Sequence, residues 1–487
     1  MTWPPPPGRP ARVAAALATL ATLAPAARAE VDLAWRGQLS SDLRLSADDQ
    51  LTFERSETTA RAQLSAYLSD HVNAVGDVSF IFTEASAPRT FSGLTDRTLI
   101  DPYRWESDAL FIELLDLGLD GLDVRLGRQA LIWGAADRFH PVSNLNPLDL
   151  EDPILFGKVI ANEMVTASYR PDLALGGEDD GEPWLDELSL QLAFVPWFKP
   201  AQLPQSAGLA FTETSVFYHR ANTALTRDLV AKIRVLERDV GWGFDFEPRV
   251  ALPEAKLDNA MLGARLGARV LGVDLGLTYF RGFDDVPRVT KIVADTDRAP
   301  HIDIALQLEY PRVQVLGFDL ATSLDFLDGV GLWAEVGLTL HDALYRVLTT
   351  GAIGVDAVEA EHDAGSFVKA VVGADYTPWP WLYLNVQYLH GFIDEFGARE
   401  LDDYLVAGGD IKLAHDQVLI RFFNVFNLQD GSFVLYPQLS VKPWQGGELI
   451  LGTFIYSSAL TGFDEANKFD SRAAGQTSVF VQARARL

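Results

Sequence analysis

Ser215, His219 and Asp228 lie near one another in the chain, and serine, histidine and aspartate carry out acyl transfer when a fold aligns them. Nearness in sequence does not align them, and the local signatures that would do so are missing. There is no GxSxG elbow for a hydrolase serine. The eight histidines (His71, His140, His219, His301, His341, His362, His390 and His415) form no HExxH pair for zinc. Gly127 to Gly134 lacks the Lys-Ser/Thr that a phosphate loop needs after it. The chain has no cysteine, which removes thiolate catalysis, disulfides, iron–sulfur clusters and cysteine-ligated zinc. No cofactor or metal is therefore expected, and an enzyme is not expected either; a barrel hydrolase is kept as a lesser alternative.

A second constellation is polar rather than catalytic. It runs from Val124 through Arg125, Leu126, Gly127, Arg128, Gln129, Ala130, Leu131, Ile132 and Trp133 to Gly134, and resumes at Asn144-Leu145-Asn146-Pro147-Leu148-Asp149. Residues 137–162, rich in Asn, Pro and Asp, show no hydrophobic period. Asn146-Pro147 sets a turn, and Asp149 can bond its own backbone there. Two readings stand. In one, the segment folds inward and narrows a lumen, with Arg128, Trp133, Asn144, Asn146 and Asp149 lining it. In the other it is a structural loop whose polar groups satisfy one another.

The elements that must position these side chains alternate apolar and polar residues with period two. From Gly329 to His341, Val330, Leu332, Ala334, Val336, Leu338 and Leu340 share one face; Trp333, Glu335, Thr339 and His341 share the other. The pattern recurs over 260–270, 272–280, 301–310 and 367–377, in runs of 9–13 residues. Soluble strands usually have about 5–6 residues, whereas a tilted membrane strand needs about 9–11. Short turns (Tyr310-Pro311-Arg312, Thr377 to Pro380, Leu413 to Asp416) alternate with long acidic loops (283–300, 342–365, 392–402, 458–475). Trp379, Trp381, Tyr383, Tyr388, Trp444 and Tyr456 flank the runs, as interfacial girdles require.

The expected fold is thus all-β: one transmembrane antiparallel β-barrel of about 16–20 strands over residues 30–487, with an inward-folded loop segment. Leu225, Leu229, Ile233 and Leu236, at spacings of three and four, predict a loop helix within 221–240. The polar faces hold both signs, with Arg265, Arg269, Lys369 and Arg421 set against Asp303, Glu335 and Asp375. As pore-lining groups they would select solutes by charge; as cross-strand pairs they would only stabilise a polar interior. Both readings stand.

Composition narrows the function. Sixty-seven acidic against 40 basic residues give a net charge of −27, which opposes binding to nucleic acid. Arg9 and Arg12, the apolar stretch from Val13 to Ala24 and the small-residue site Ala27-Arg28-Ala29 predict a secretory signal peptide over residues 1–29. No later run is apolar for the roughly 18 residues a membrane helix needs. The last strand alternates up to Leu487, which occupies the place of the usual terminal Phe in the signal read by barrel insertion machinery.

The GRQ…WG…NP.D pattern of Gly127-Arg128-Gln129, Trp133-Gly134, Asn146-Pro147 and Asp149 resembles a family of poorly characterised Gram-negative outer-membrane barrels, as does the run from Leu252-Pro253 to Arg265. That family is often encoded beside exporters of the resistance–nodulation–division class. The resemblance implies an outer-membrane location, transport of hydrophobic or lipid-like compounds, and an exporter system as partner. Outer-membrane lipid and lipopolysaccharide are the other expected partners. The expected function is passive passage of small or hydrophobic molecules, with selectivity set by the lumen lining. A non-conducting barrel serving as a surface or assembly component is the alternative.

Overall fold

Alternation along each long run puts an apolar side chain on one face and a polar or small one on the other, so the runs pair edge to edge with all apolar faces on one side. The computed structural model describes residues 31–47, 51–83, 88, 90–151, 157–176, 183–204, 223–295, 300–350 and 356–487. The expected signal peptide, Ser215, His219 and the acidic run at 178–182 lie outside the described residues.

Twenty-three strands form among the described residues. They begin with β1 (Asp32–Ser46), β2 (Phe53–Ser69), β3 (Val72–Thr83), β4 (Tyr103–Leu114), β5 (Leu122–Gln129), β6 (Asn162–Tyr169), β7 (Leu185–Val195) and β8 (Gly243–Val250). Next come β9 (Met261–Val270), β10 (Val273–Phe283), β11 (Arg288–Asp295), β12 (His301–Glu309), β13 (Arg312–Leu324), β14 (Val330–His341), β15 (Leu344–Thr349) and β16 (Asp356–His362). The chain ends with β17 (Gly365–Trp379), β18 (Leu382–His390), β19 (Asp403–Leu413), β20 (Val418–Asn427), β21 (Phe433–Trp444), β22 (Gly447–Tyr456) and β23 (Ser478–Arg486).

Eighteen of these make one antiparallel sheet in chain order, omitting β8, β11, β12, β15 and β16. It closes on itself where β1 pairs with β23, Asp42 opposite Gln482. The fold is a closed 18-stranded β-barrel. Closure leaves no free edge and satisfies every strand's backbone internally, as a membrane requires. The outer wall is apolar and exposed (Leu39, Leu64, Leu110, Leu192, Leu277, Val372, Leu451), which fits contact with lipid. The start of β1, the end of β23 and the tight turns Leu271-Gly272, Pro380-Trp381 and Gln445-Gly446 lie at one rim, and the long loops at the other. Trp379 and Trp381 stack at the short-turn rim, ring centroids 5.3 Å apart. Tyr383 and Tyr456, expected in a girdle, turn inward instead: Tyr383 bonds Asp375 and Tyr456 is buried.

The remaining five strands correct the sequence reading of 301–310. They form a separate sheet in the order β16-β15-β11-β12-β8, built from three long-loop excursions. The helix α1 (Ala224–Val235), within the expected 221–240, packs on it: Leu229, Val230 and Ile233 meet Ile292, Ile302, Ile304 and Leu306. β12 therefore alternates because a helix, not lipid, covers its apolar face. Tyr310-Pro311-Arg312 is not a short-rim turn but the return from this cap into β13, on the long-loop side.

Candidate functional site

The described parts of the loop between β5 and β6, residues 130–151 and 157–161, fold into the lumen. Asn146 closes its neck. The side-chain oxygen accepts from Leu131 N–H at 2.8 Å, and Nδ2 donates to the carbonyls of Gln129 and Ile160, each at 3.0 Å. A single amide thus ties both legs of the loop together, because it alone offers an acceptor and two donors. Trp133 is 3 % exposed and donates through Nε1 to Gln191 Oε1 of β7 at 2.8 Å. Its backbone N–H donates to Ser143 Oγ at 3.1 Å.

Wall positions without side chains receive the loop. A Cβ at Gly263 would stand 2.7 Å from Trp133 Cη2, at Gly317 2.7 Å from Val142 Cγ1, and at Gly337 2.8 Å from the Pro141 carbonyl oxygen. Across the lumen the loop docks on Glu335 of β14, whose side chain is fully buried. Glu335 Oε1 accepts from Ala136 N–H at 2.6 Å and lies 3.0 Å from His140 Nδ1. Gly134 makes that approach feasible. Its φ of +110° suits glycine, and a Cβ there would come within 2.5 Å of the Glu335 carboxyl carbon. Gly134 of the sequence motif thus serves the loop's path, whereas Gly127 lies within β5, where a Cβ would clash with the Leu110 carbonyl oxygen of β4; of the apolar residues that follow, Trp133, Ala136, Phe139, Val142 and Leu145 are buried.

The other expected lining residues mostly sit in pairs. Arg265 grips Asp319 with two hydrogen bonds, and Arg421 grips Asp410 with two at 2.7 Å. Arg269, near the short-turn rim, meets Asp274 and Glu187. Asp375 accepts from the Tyr383 hydroxyl at 3.0 Å. Lys369 donates to the Ile393 carbonyl at 3.3 Å. Asn144 donates to the Pro141 carbonyl and, with Lys369, His140 and Asp285, lines a cavity of about 100 Å³ beneath the long-loop rim. Asp149 pairs with Lys158 at 2.8 Å and accepts from Glu151 N–H, as its turn position predicts.

Two expectations are corrected. Asp303 does not line the pore; it lies on β12 of the cap, opposite Asp245 of β8. Arg128 does not line the lumen either. It shares the face of Leu126 and pairs across strands with Glu163, whose neighbour Val165 is exposed on the outer wall. Asp228, the described member of the possible hydrolase set, lies on α1 in an ion pair with Lys232.

Sequence reading missed the inner wall of the first four strands. Arg44 and Asp42 of β1, Arg55, Glu57 and Arg61 of β2, Asp77 of β3, and Arg104, Glu106 and Asp108 of β4 form one ladder of ion pairs there. The loop adds Glu151, 3.5 Å from Arg104, and Lys158, 3.6 Å from Glu106. The signal was present: Arg55, Glu57, Arg61 and Gln63 recur on alternate positions of β2. The ladder stays wetted around Arg61 and Arg104, each 33 % exposed, while Arg44, Arg55, Glu57 and Asp77 are largely covered; on the later strands Glu335 and Asp319 are buried and Arg421 is partly exposed. The loop packs against β7, β9, β10, β13 and β14 and leaves Arg61 and Arg104 of the earlier strands partly wetted.

At the loop mouth, burial first and the Asp284 charge second push the Asp285 carboxyl up to about 6. Asp285 Oδ2 accepts from Leu148 N–H at 2.7 Å, so the group anchors the loop. The folded state holds its proton at a pH where the unfolded chain has released it. The stabilisation is complete below the ordinary carboxylate range and is lost as pH rises through about 6. Raising the pH from about 4 to about 7 should therefore weaken loop anchoring by up to about 3 kcal/mol, and Asp285→Asn should abolish that dependence. The protection factor of the Leu148 amide in hydrogen exchange reports it; an equal slope in both proteins would refute it.

No protein-family model and no curated protein matches the chain. Solved structures do. OmpF of Salmonella typhi, in complex with daunomycin, aligns with a TM-score of 0.37 and 8 % identity over 93 % of this chain and 97 % of that one. OmpT of Vibrio cholerae, an outer membrane protein in its trimer form, aligns at 0.34 and 10 % identity over 94 % and 99 %. Its loop L8 deletion mutant aligns at 0.36 and 10 % over 94 % and 100 %. The closed 18-stranded antiparallel barrel rests on its own strand pairing. Identities this low say nothing of what this barrel carries.

Proposed function

We propose that the chain is a passive outer-membrane channel for small molecules, narrowed by the 130–161 loop. The observation that supports it is the division of the lumen. One side is packed by the loop docked on Glu335, and the other stays wetted beside the ion-pair ladder of β1–β4. A solute passing there meets both signs of charge within a few ångströms, which favours polar or zwitterionic molecules over purely apolar ones.

Single-channel recording of the detergent-purified protein in a planar bilayer tests it. Small, steady openings are expected. The double substitution Arg61→Glu and Arg104→Glu should shift the reversal potential in a salt gradient toward cation selectivity. A barrel that is folded by heat-modifiable gel mobility yet silent would overturn the channel reading. A second reading, a non-conducting surface component, is favoured by the cap: a five-stranded sheet with its own helix is more structure than a pore requires. Silence in the bilayer would bring it forward.

A further inference from the structure

Arg128 raises a question by standing on the outer wall, where charge facing lipid is costly unless it reaches the headgroup layer. Its position meets that condition. Its Nε donates to the Ser107 carbonyl at 2.8 Å, two residues from Trp105 at the long-loop end of β4. Tyr103 and Trp105 at the long-loop end of β4 and Trp197 just beyond β7 are exposed, as side chains at an interface are, and Leu110, Leu126, Val165 and Leu192 face out along the strands.

Arg128 is not alone. Glu163 holds two cations, Arg128 Nη1 at 2.9 Å on one oxygen and Lys199 Nζ at 3.0 Å on the other. Lys199 also donates to the Ala161 carbonyl at 3.0 Å. Two positive charges share one negative charge, so the cluster carries a net charge of +1 on a chain of −27. Burial first, and among the charges Arg128, hold the Lys199 ammonium below the ordinary lysine range. An additional anion would relieve that repulsion. A guanidinium has five N–H donors and an ammonium three, so both groups retain donors beyond the bonds described.

We propose that Arg128 and Lys199, bridged by Glu163, seat the phosphate of a phosphorylated lipid headgroup in the outer leaflet. Phosphate matches the geometry: it accepts from guanidinium and ammonium together, while its acyl chains lie along Leu126, Val165 and Leu192. The proposal rests on the outer-membrane reading above and is independent of whether the lumen conducts.

Native mass spectrometry of the full folded barrel tests it, with lipid A bearing both phosphates, lipid A stripped of them, and inorganic phosphate as probes. The native protein should retain the phosphorylated lipid. The Arg128→Gln, Lys199→Gln double variant should lose affinity about tenfold. Glu163→Gln, which removes the competing carboxylate, should tighten binding; a cluster with only a structural role would give no gain. Inorganic phosphate at millimolar concentration should not compete. Competition by it, equal retention of the dephosphorylated lipid, or equal binding by the double variant would each overturn the proposal. Membrane fractionation separates this failure from the other: recovery outside the outer membrane would overturn the location itself.

Discussion

Deleting residues 141–157 is expected to raise single-channel conductance several-fold while leaving the barrel folded. An 18-stranded barrel is wide enough for an aqueous channel unless something fills it. Here Val142 and Leu145 of the loop are buried with Phe280, Val313 and Val315 of the wall, so the deletion removes packed volume from the lumen. The barrel does not depend on that segment for closure, because β5 and β6 pair from Leu122↔Tyr169 to Gln129↔Asn162 below it. Planar-bilayer recording gives the conductance, and heat-modifiable gel mobility confirms the fold. An unchanged conductance in a folded variant would show that this loop does not set the constriction.

Undocking the same loop by one side chain should give a smaller, flickering increase. Glu335→Ala leaves the buried Ala136 N–H without its acceptor, a loss of about 1–3 kcal/mol. Gly134→Val should do the same from the other side, since its side chain would enter the Glu335 carboxylate and its backbone would hold a φ of +110°. Glu335→Gln keeps an acceptor of the same shape and should stay closed. The chain has no cysteine, so a thiol introduced by Ala136→Cys is a clean reporter. It should react with a water-soluble reagent rapidly in the Glu335→Ala background and slowly in the Glu335→Gln background. Equal rates would refute the latch.

The loop and its latch were only partly legible in the sequence. Asn146 and Trp133 stood out by type and spacing, and both prove to hold the loop in place. Glu335 was visible as a polar residue on an inward face, but its partner Ala136 is distant in sequence and contributes only a backbone N–H. No side-chain pattern announces such a contact. Arg128 shows the opposite error. Its parity with Leu126 already placed it on the outer face, and the motif around it suggested the lumen. The β1–β4 ladder was likewise written in alternate positions of β2, but its meaning depends on which wall the loop leaves uncovered.

Strand length, alternation and the unequal connections determined by themselves that this chain is an antiparallel barrel with a long-loop rim and a short-turn rim. These are local properties: a side-chain period of two and a run long enough to cross a bilayer suffice. Tertiary structure alone decided what covers each apolar face. β12 and β14 alternate alike, yet one packs beneath α1 in the cap and the other faces lipid outside and the docked loop inside. Alternation records that one face avoids water; whether lipid, a helix or a folded-in loop removes it depends on contacts between residues far apart in the chain.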